Sequence, residues 1–186
     1  DIAGGAAFGD FDGDGDLDIL SAGSDTPVRL YLNDGGGRFH LSDDAALKAR
    51  RKTHASVAAG DIDGDGDLDA VIADWGEKPG GEFATVVRND GPLCGKPLAI
   101  SLIAASGEVD PPNARVVLIS RDGKGRPRRQ TRESQAQTTF RGQGANPFLF
   151  AVPRDETPVA VEVRWPNGKV ARVKIAKAQA KLSVRQ

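Results

Sequence analysis

Two nearly identical stretches constrain this chain most: Asp10–Asp18, DFDGDGDLD, and Asp61–Asp69, DIDGDGDLD. Each places carboxylates at positions 1, 3, 5, 7 and 9, with glycine at positions 4 and 6. At ~6 Å and an effective dielectric of ~20, neighbouring charges repel by roughly 3 kcal/mol per pair. A folded loop holds such a run with its carboxylates splayed into water, protonated, or gathered around a cation. The alternation turns every second side chain inward and the glycines permit a tight wrap, which favours the cation. Every candidate donor is a hard oxygen, with no Cys or His in either stretch. That disfavours zinc and copper. Ca²⁺ accepts several carboxylate and carbonyl oxygens in flexible geometry, whereas Mg²⁺ keeps its waters, so calcium is the expected ion.

An EF-hand or dockerin loop also begins D-x-D-x-D-G, but it closes on an acidic ligand at position 12. Here position 12 is Ser21 in the first copy and Ile72 in the second, and the last carboxylates are Asp18 and Asp69 at position 9. Only short apolar runs follow, Ile19-Leu20 and Ala70–Ala73, too short for an exiting helix. The loop therefore reads as a link between strands. In this it resembles the FG-GAP/VCBS repeat, whose D-x-D-G-D-G-x-x-D loop binds Ca²⁺ between strands of a propeller blade. The resemblance implies two calcium sites. Side-chain ligands would be Asp10, Asp12, Asp14 and Asp18 in one, and Asp61, Asp63, Asp65 and Asp69 in the other. Asp16 and Asp67 would contribute backbone carbonyls.

The repeat extends beyond the loops. Gly9–Asp18 matches Gly60–Asp69 at all but one position, Phe11 against Ile62, at an offset of 51 residues. Small apolar strands precede both loops, and a turn signal recurs as Asn33-Asp34-Gly35 and Asn89-Asp90-Gly91. In the first unit Leu17–Ala22, Val28–Leu32 and Arg38–Leu41 complete four strands, the size of one propeller blade. Ser42–Arg51 breaks the pattern and reads as a short helix capped by Ser42. A Gly-rich insertion around Trp75–Phe83 delays the second turn, and the fourth strand of the second unit is missing or merged, because Pro92-Leu93-Cys94 leads directly into different sequence. Propellers close with ~4 to 8 blades. Two blades imply the C-terminal end of a longer propeller, which is the favoured explanation, or a cap from the rest of the chain, or association between chains through open blade edges.

Charge marks the boundary. Residues 1–95 carry 8 Lys/Arg and 19 Asp/Glu, a formal −11, and residues 96–186 carry 17 and 7, a formal +10. Past Lys96 the chain reads strand after strand: Leu98–Ile103, Ala114–Ser120, Phe148–Val152 and Val159–Trp165 are clear. Arg128–Glu133, Gln137–Phe140, Lys169–Ile175 and Lys181–Val184 are weaker. In Val159–Trp165 the odd-numbered residues share one face, and Pro166-Asn167-Gly168 supplies a hairpin turn. A small antiparallel β-sandwich is expected. VEVRWPNGK at Val161–Lys169 resembles the V-x-V-x-W-P-[SN]-G hallmark of the ASPIC/UnbV domain. Gln130–Glu133 matches that family's Q-[TS]-R-E stretch and Ala114-Arg115-Val116 its G-A-R-V strand. The family's N-R-x-G-x-G-A turn is reduced here to Pro111-Pro112-Asn113-Ala114, and its H-F-G-L-G stretch to Leu149–Pro153.

The expected fold is thus all-β: two propeller-type blades with calcium loops, about residues 1–45 and 52–95, and a sandwich over 96–186. No nucleophile–base pair stands out, so no catalytic residue and no enzyme activity are expected. Cys94, the sole cysteine, is expected to be incidental. The basic stretch Arg121–Arg132 lacks interleaved aromatics, so no nucleic-acid partner is expected and a solvated hairpin is. No apolar run approaches ~18 residues, so membrane insertion is not expected. No signal peptide is expected within the chain, which opens on Asp1. Together the resemblances imply an extracellular, surface or periplasmic adhesion or interaction module with a protein or glycan partner. The alternative is part of an enzyme or glycan-binding propeller whose site lies in blades absent from this chain.

Overall fold

A computed structural model describes residues 5–23, 26–44, 47, 54–74, 84–134, 148–176 and 179–186. They fall into two compact units. The first holds residues up to Gly91 other than the loop tip Gly13–Gly15; the second holds that tip with residues from Pro92 on.

The first unit is two antiparallel sheets. One has the order β1 (Ala6–Gly9), β2 (Asp18–Gly23), β3 (Thr26–Asn33) and β4 (Phe39–Leu41). The other is β5 (His54–Gly60), β6 (Asp69–Asp74) and β7 (Ala84–Val87). Their registers repeat: Gly9 pairs Asp18 and Gly60 pairs Asp69, so each acidic loop is the hairpin between the first two strands of its blade. Among the described residues the second blade has no fourth strand, as expected, and its turn leads through Pro92–Cys94 into the next unit. Cys94 is exposed.

Strand β5 packs across β1 and β2, and this stacks the blades. A Cβ built on Gly9 would lie 2.5 Å from Leu68 Cδ1, so the glycine before the first loop is where the second blade's leucine seats. Past β4, Ser42 Oγ accepts from Asp44 N at 3.3 Å and Asp44 Oδ1 from Leu47 N at 3.2 Å, side-chain-to-backbone bonds of the capping kind. Most of Ser42–Arg51, the Gly-rich insertion and the expected strand at Gln137–Phe140 lie outside the described residues.

The second unit is a sandwich of two sheets. One is ordered β10 (Pro127–Glu133), β9 (Arg115–Arg121), β12 (Thr157–Arg164), β13 (Val170–Lys174); the other β11 (Phe148–Pro153), β8 (Gly95–Ile103), β14 (Lys181–Arg185). Their inner faces bury Leu98, Ile100, Leu102, Val116, Leu118, Phe150, Val161, Val163 and Trp165 in one core. Two expectations need correction. The sandwich is not wholly antiparallel, because β14 runs parallel to β8, a pairing a strand can adopt when it returns by a long connection rather than a hairpin. The alternation in β12 also breaks. Pro158 pairs Ser120 and Ala160 pairs Ile119, so Val159 is a bulge, left half-buried while Ala160 turns inward.

Polar groups tie the sheets together. Gln130 Nε2, buried on β10, donates to the Ala151 carbonyl on β11 at 2.7 Å. Asn113 takes φ 64, the left-handed conformation that asparagine tolerates, where the ASPIC/UnbV pattern has glycine. Ser134 holds that turn, accepting from Ala114 N at 2.9 Å and donating to the Pro111 carbonyl at 2.5 Å. The basic stretch forms the β9–β10 hairpin and meets acids of its own unit: Arg126 with Asp122 at 2.7 Å, Arg128 with Glu156 at 3.4 Å and Arg129 with Glu162 at 2.5 Å. No helix among the described residues is long and apolar enough to cross a membrane.

Asp110 gives this unit a pH signature. Its Oδ1 accepts from Leu102 N at 2.6 Å, while burial pushes its carboxyl above the ordinary value and outweighs that hydrogen bond. A raised folded value means the ionised carboxylate costs stability above that value and the cost vanishes below the unfolded one. Asp110→Asn keeps an acceptor oxygen, and asparagine also tolerates the residue's positive φ of 47. It should melt at or above the parent temperature at pH 7, with the gap closing by about pH 4. Asp110→Ala leaves Leu102 N unsatisfied and should lose about 1–3 kcal/mol in urea unfolding.

Candidate metal centre

Each acidic loop is built around its last carboxylate. Asp18, fully buried, accepts from Phe11 N through Oδ2 at 2.7 Å and from Asn33 N through Oδ1 at 2.9 Å. Asp69, equally buried, does the same with Ile62 N at 2.8 Å and Asn89 N at 2.9 Å. Position 9 thus ties the loop's second residue to the Asn-Asp-Gly turn between later strands. The asparagines return the tie. Asn33 Nδ2 donates to the Leu17 carbonyl at 3.1 Å, and Asn89 Nδ2 to the Leu68 carbonyl at 3.4 Å. Asn89 Nδ2 also reaches the Phe11 carbonyl of the first loop at 2.8 Å.

The carboxylates converge on part of the expected set. Ligand oxygens of Asp10, Asp12 and Asp18 lie within 4.8 Å of one another, as do those of Asp61, Asp63 and Asp69. Two oxygens bound to one Ca²⁺ at ~2.4 Å are at most ~4.8 Å apart, so each trio fits a shared ion. Hard oxygen donors, two of them nearly buried in the first loop, match that chemistry. Asp14 and Asp16 stand outside the first trio. Asp65 stands outside the second and instead joins Asp63 and Asp90 in another cluster. Carboxylates here also fold back on their own backbone: Asp61 Oδ1 accepts from Gly64 N at 2.8 Å, Asp63 Oδ1 from Asp65 N at 3.3 Å and Asp65 Oδ1 from Asp67 N at 3.1 Å. Asp67 is buried, and burial first, then the charges of Asp65 and Asp69, push its carboxyl up to about 7.

Some participants were not read from the sequence. Arg88 spans the outer cluster of the second loop, with Nη1 3.3 Å from Asp63 and Nη2 2.6 Å from Asp90. The first blade has Leu32 at that place, one residue before its turn asparagine. In the sequence the asparagines signal turns, and their recurrence at the same place in both repeats is the mark of their further role in the loops.

Comparison with known families agrees with this geometry. A family model for the FG-GAP-like repeat matches residues 10–72, and one for ASPIC and UnbV matches residues 109–186. The chain carries an FG-GAP-like repeat region followed by an ASPIC/UnbV domain. The first match spans both acidic loops, and the second covers most of the sandwich, from the Asp110 turn to the last strand. No curated protein matches the chain. FG-GAP repeats joined to an ASPIC/UnbV domain point to a protein-interaction module of extracellular type.

Loss of Asn89 should be felt in both loops, since its amide reaches from the second to the first. Asn89→Ala removes both Nδ2 bonds and the Oδ1 acceptor for Gly91 N at 3.2 Å. It should lower stability by about 1–3 kcal/mol even without metal, read as a reduced urea midpoint with an unchanged slope. Asn33→Ala, which breaks bonds within one blade only, should cost less.

Proposed function

We propose that this chain is a non-catalytic, calcium-stabilised interaction module that works in an extracellular, surface or periplasmic setting. One Ca²⁺ serves each acidic loop. Asp10, Asp12 and Asp18 hold the first ion, and Asp61, Asp63 and Asp69 the second. Backbone carbonyls of the loops, including those of Asp16 and Asp67, and water complete the coordination. The ion's role is structural: it neutralises carboxylates that would otherwise force the loop open, and so fixes the turn each loop is tied to. Each unit by itself then presents its surface to a protein or glycan partner.

The observation that carries this reading is repetition. Positions 1, 3 and 9 converge in both loops although surrounding burial differs: Asp10 is buried where Asp61 is half-buried, and Asp12 is half-buried where Asp63 is exposed. An accidental acidic cluster has no reason to recur at the same three positions. Affinities of extracellular calcium modules fall at ~10⁻⁴ to 10⁻³ M, which suits calcium-rich surroundings.

Calorimetric titration of the intact chain should show two sites in that range. Calcium at a hundredfold excess over its Kd adds about 2.7 kcal/mol per site, seen as a higher melting temperature. Asp12→Asn and Asp63→Asn should each remove one site's heat and its share of the melting shift, and the double variant should lose both. A melting temperature indifferent to millimolar Ca²⁺ would sink the proposal.

A further inference from the structure

Strand β7 brings a cation to the second acidic loop. It ends at Val87, and Asn89 is fixed two residues on, its N–H donating to Asp69 Oδ1 at 2.9 Å and its Oδ1 accepting from Gly91 N at 3.2 Å. Arg88 and Asp90 flank that anchored asparagine, so both are held beside the loop. Arg88 Nη2 lies 2.6 Å from Asp90 Oδ1, and Nη1 lies 3.3 Å from Asp63 Oδ2.

Asp63 belongs to two groups at once. Its carboxylate converges with Asp61 and Asp69 in the trio that fits calcium, and with Asp65 and Asp90 in the outer cluster. Its Oδ1 accepts from Asp65 N at 3.3 Å, and its Oδ2 faces the guanidinium. An ion on the trio and the charge of Arg88 therefore draw on the same carboxylate. The first blade carries Leu32, which brings no charge, at the place of Arg88, so the turn of a blade does not itself require an arginine there.

We propose that Arg88 is the second loop's own counter-ion: it steadies Asp63 and Asp90 when no metal is bound, and it competes with calcium for Asp63. The competition rests on the calcium reading; the counter-ion role does not. The two are linked. Without metal, Asp63 offers the guanidinium a full negative charge. With a divalent ion beside it, the same carboxylate attracts the guanidinium less, and the ion repels it. Arg88 thus stabilises the metal-free loop more than the loaded one, and it weakens ion binding by the same factor. A unit charge about 6 Å from a divalent ion disfavours that ion about tenfold in water's dielectric, and less once salt screens it. Arg88 keeps its shorter contact, Asp90, when Asp63 turns to the ion.

Calorimetric titration in the Asp12→Asn background, which keeps only the second site, tests the competition. Arg88→Leu should bind Ca²⁺ about threefold to tenfold more tightly at low salt, with the gain shrinking in ~0.5 M NaCl. Arg88→Lys keeps the charge and should restore most of the parent's weaker binding. Melting tests the counter-ion role: in EDTA the leucine variant should melt below its parent, and in millimolar Ca²⁺ the gap should close. In the Asp63→Asn chain, which keeps only the first site, Arg88→Leu should leave the Kd unchanged. A second-site Kd that is unchanged or weaker in Arg88→Leu overturns this inference alone, as do melting losses equal with and without Ca²⁺. An Asp12→Asn chain that binds no calcium overturns the calcium reading of the second loop and the competition with it. Leucine already stands at the equivalent place in the first blade; Arg88→Gln replaces it if the leucine variant fails to fold.

Discussion

The first unit depends on one interaction made twice, the buried carboxylate at the end of each acidic loop. Asp18 and Asp69 use both oxygens to hold two backbone N–H groups, one in the loop and one at the following turn. Removing such an acceptor leaves buried or part-buried donors unsatisfied, at up to about 1–3 kcal/mol each. Those N–H groups point at the carboxylate. With calcium bound as proposed, fold and metal chemistry would share an atom set: the carboxylate that would close the coordination is the one that closes the blade.

That sharing explains the strictness of the repeat. Gly13, Gly15, Gly64 and Gly66 all take positive φ, which lets the loop turn back on its own carboxylates. Gly9 is fixed by a different demand, the leucine of the next blade. The permitted variation, Phe11 against Ile62, falls where the side chain faces the neighbouring blade rather than the loop interior. Its environment is set by what stacks on it, so the buried copy is the larger.

The blades, their loops and the sandwich strands were legible because each rests on local pattern: alternating carboxylates, alternating apolar residues and Asn-Gly or Asp-Gly turns. What escaped depends on contacts distant in sequence. Position 5, Asp14 and Asp65, carries the same charge as positions 1 and 3, and only the path of the folded loop separates it from the trio. Asp90 enters a cluster with Asp63 because β7 returns beside the loop. The bulge at Val159 and the parallel entry of β14 are set by pairing with β9 and β8, and neither strand's own sequence announces it.

The charge asymmetry between the halves is handled by different means. In the sandwich, basic residues outnumber acids, and several acids are placed against them, Glu162 beside Arg129, Glu133 beside Arg115 and Asp122 beside Arg126. Side-chain cations suffice there because the carboxylates are spread along strands. In the loops five carboxylates crowd into nine residues, and a guanidinium can reach only the rim, as Arg88 does at Asp63 and Asp90. Asp18 and Asp69 lie deeper, fully buried. The proposed divalent ion would carry two charges in a volume no side chain matches, and each trio's oxygens lie within the separation such an ion allows.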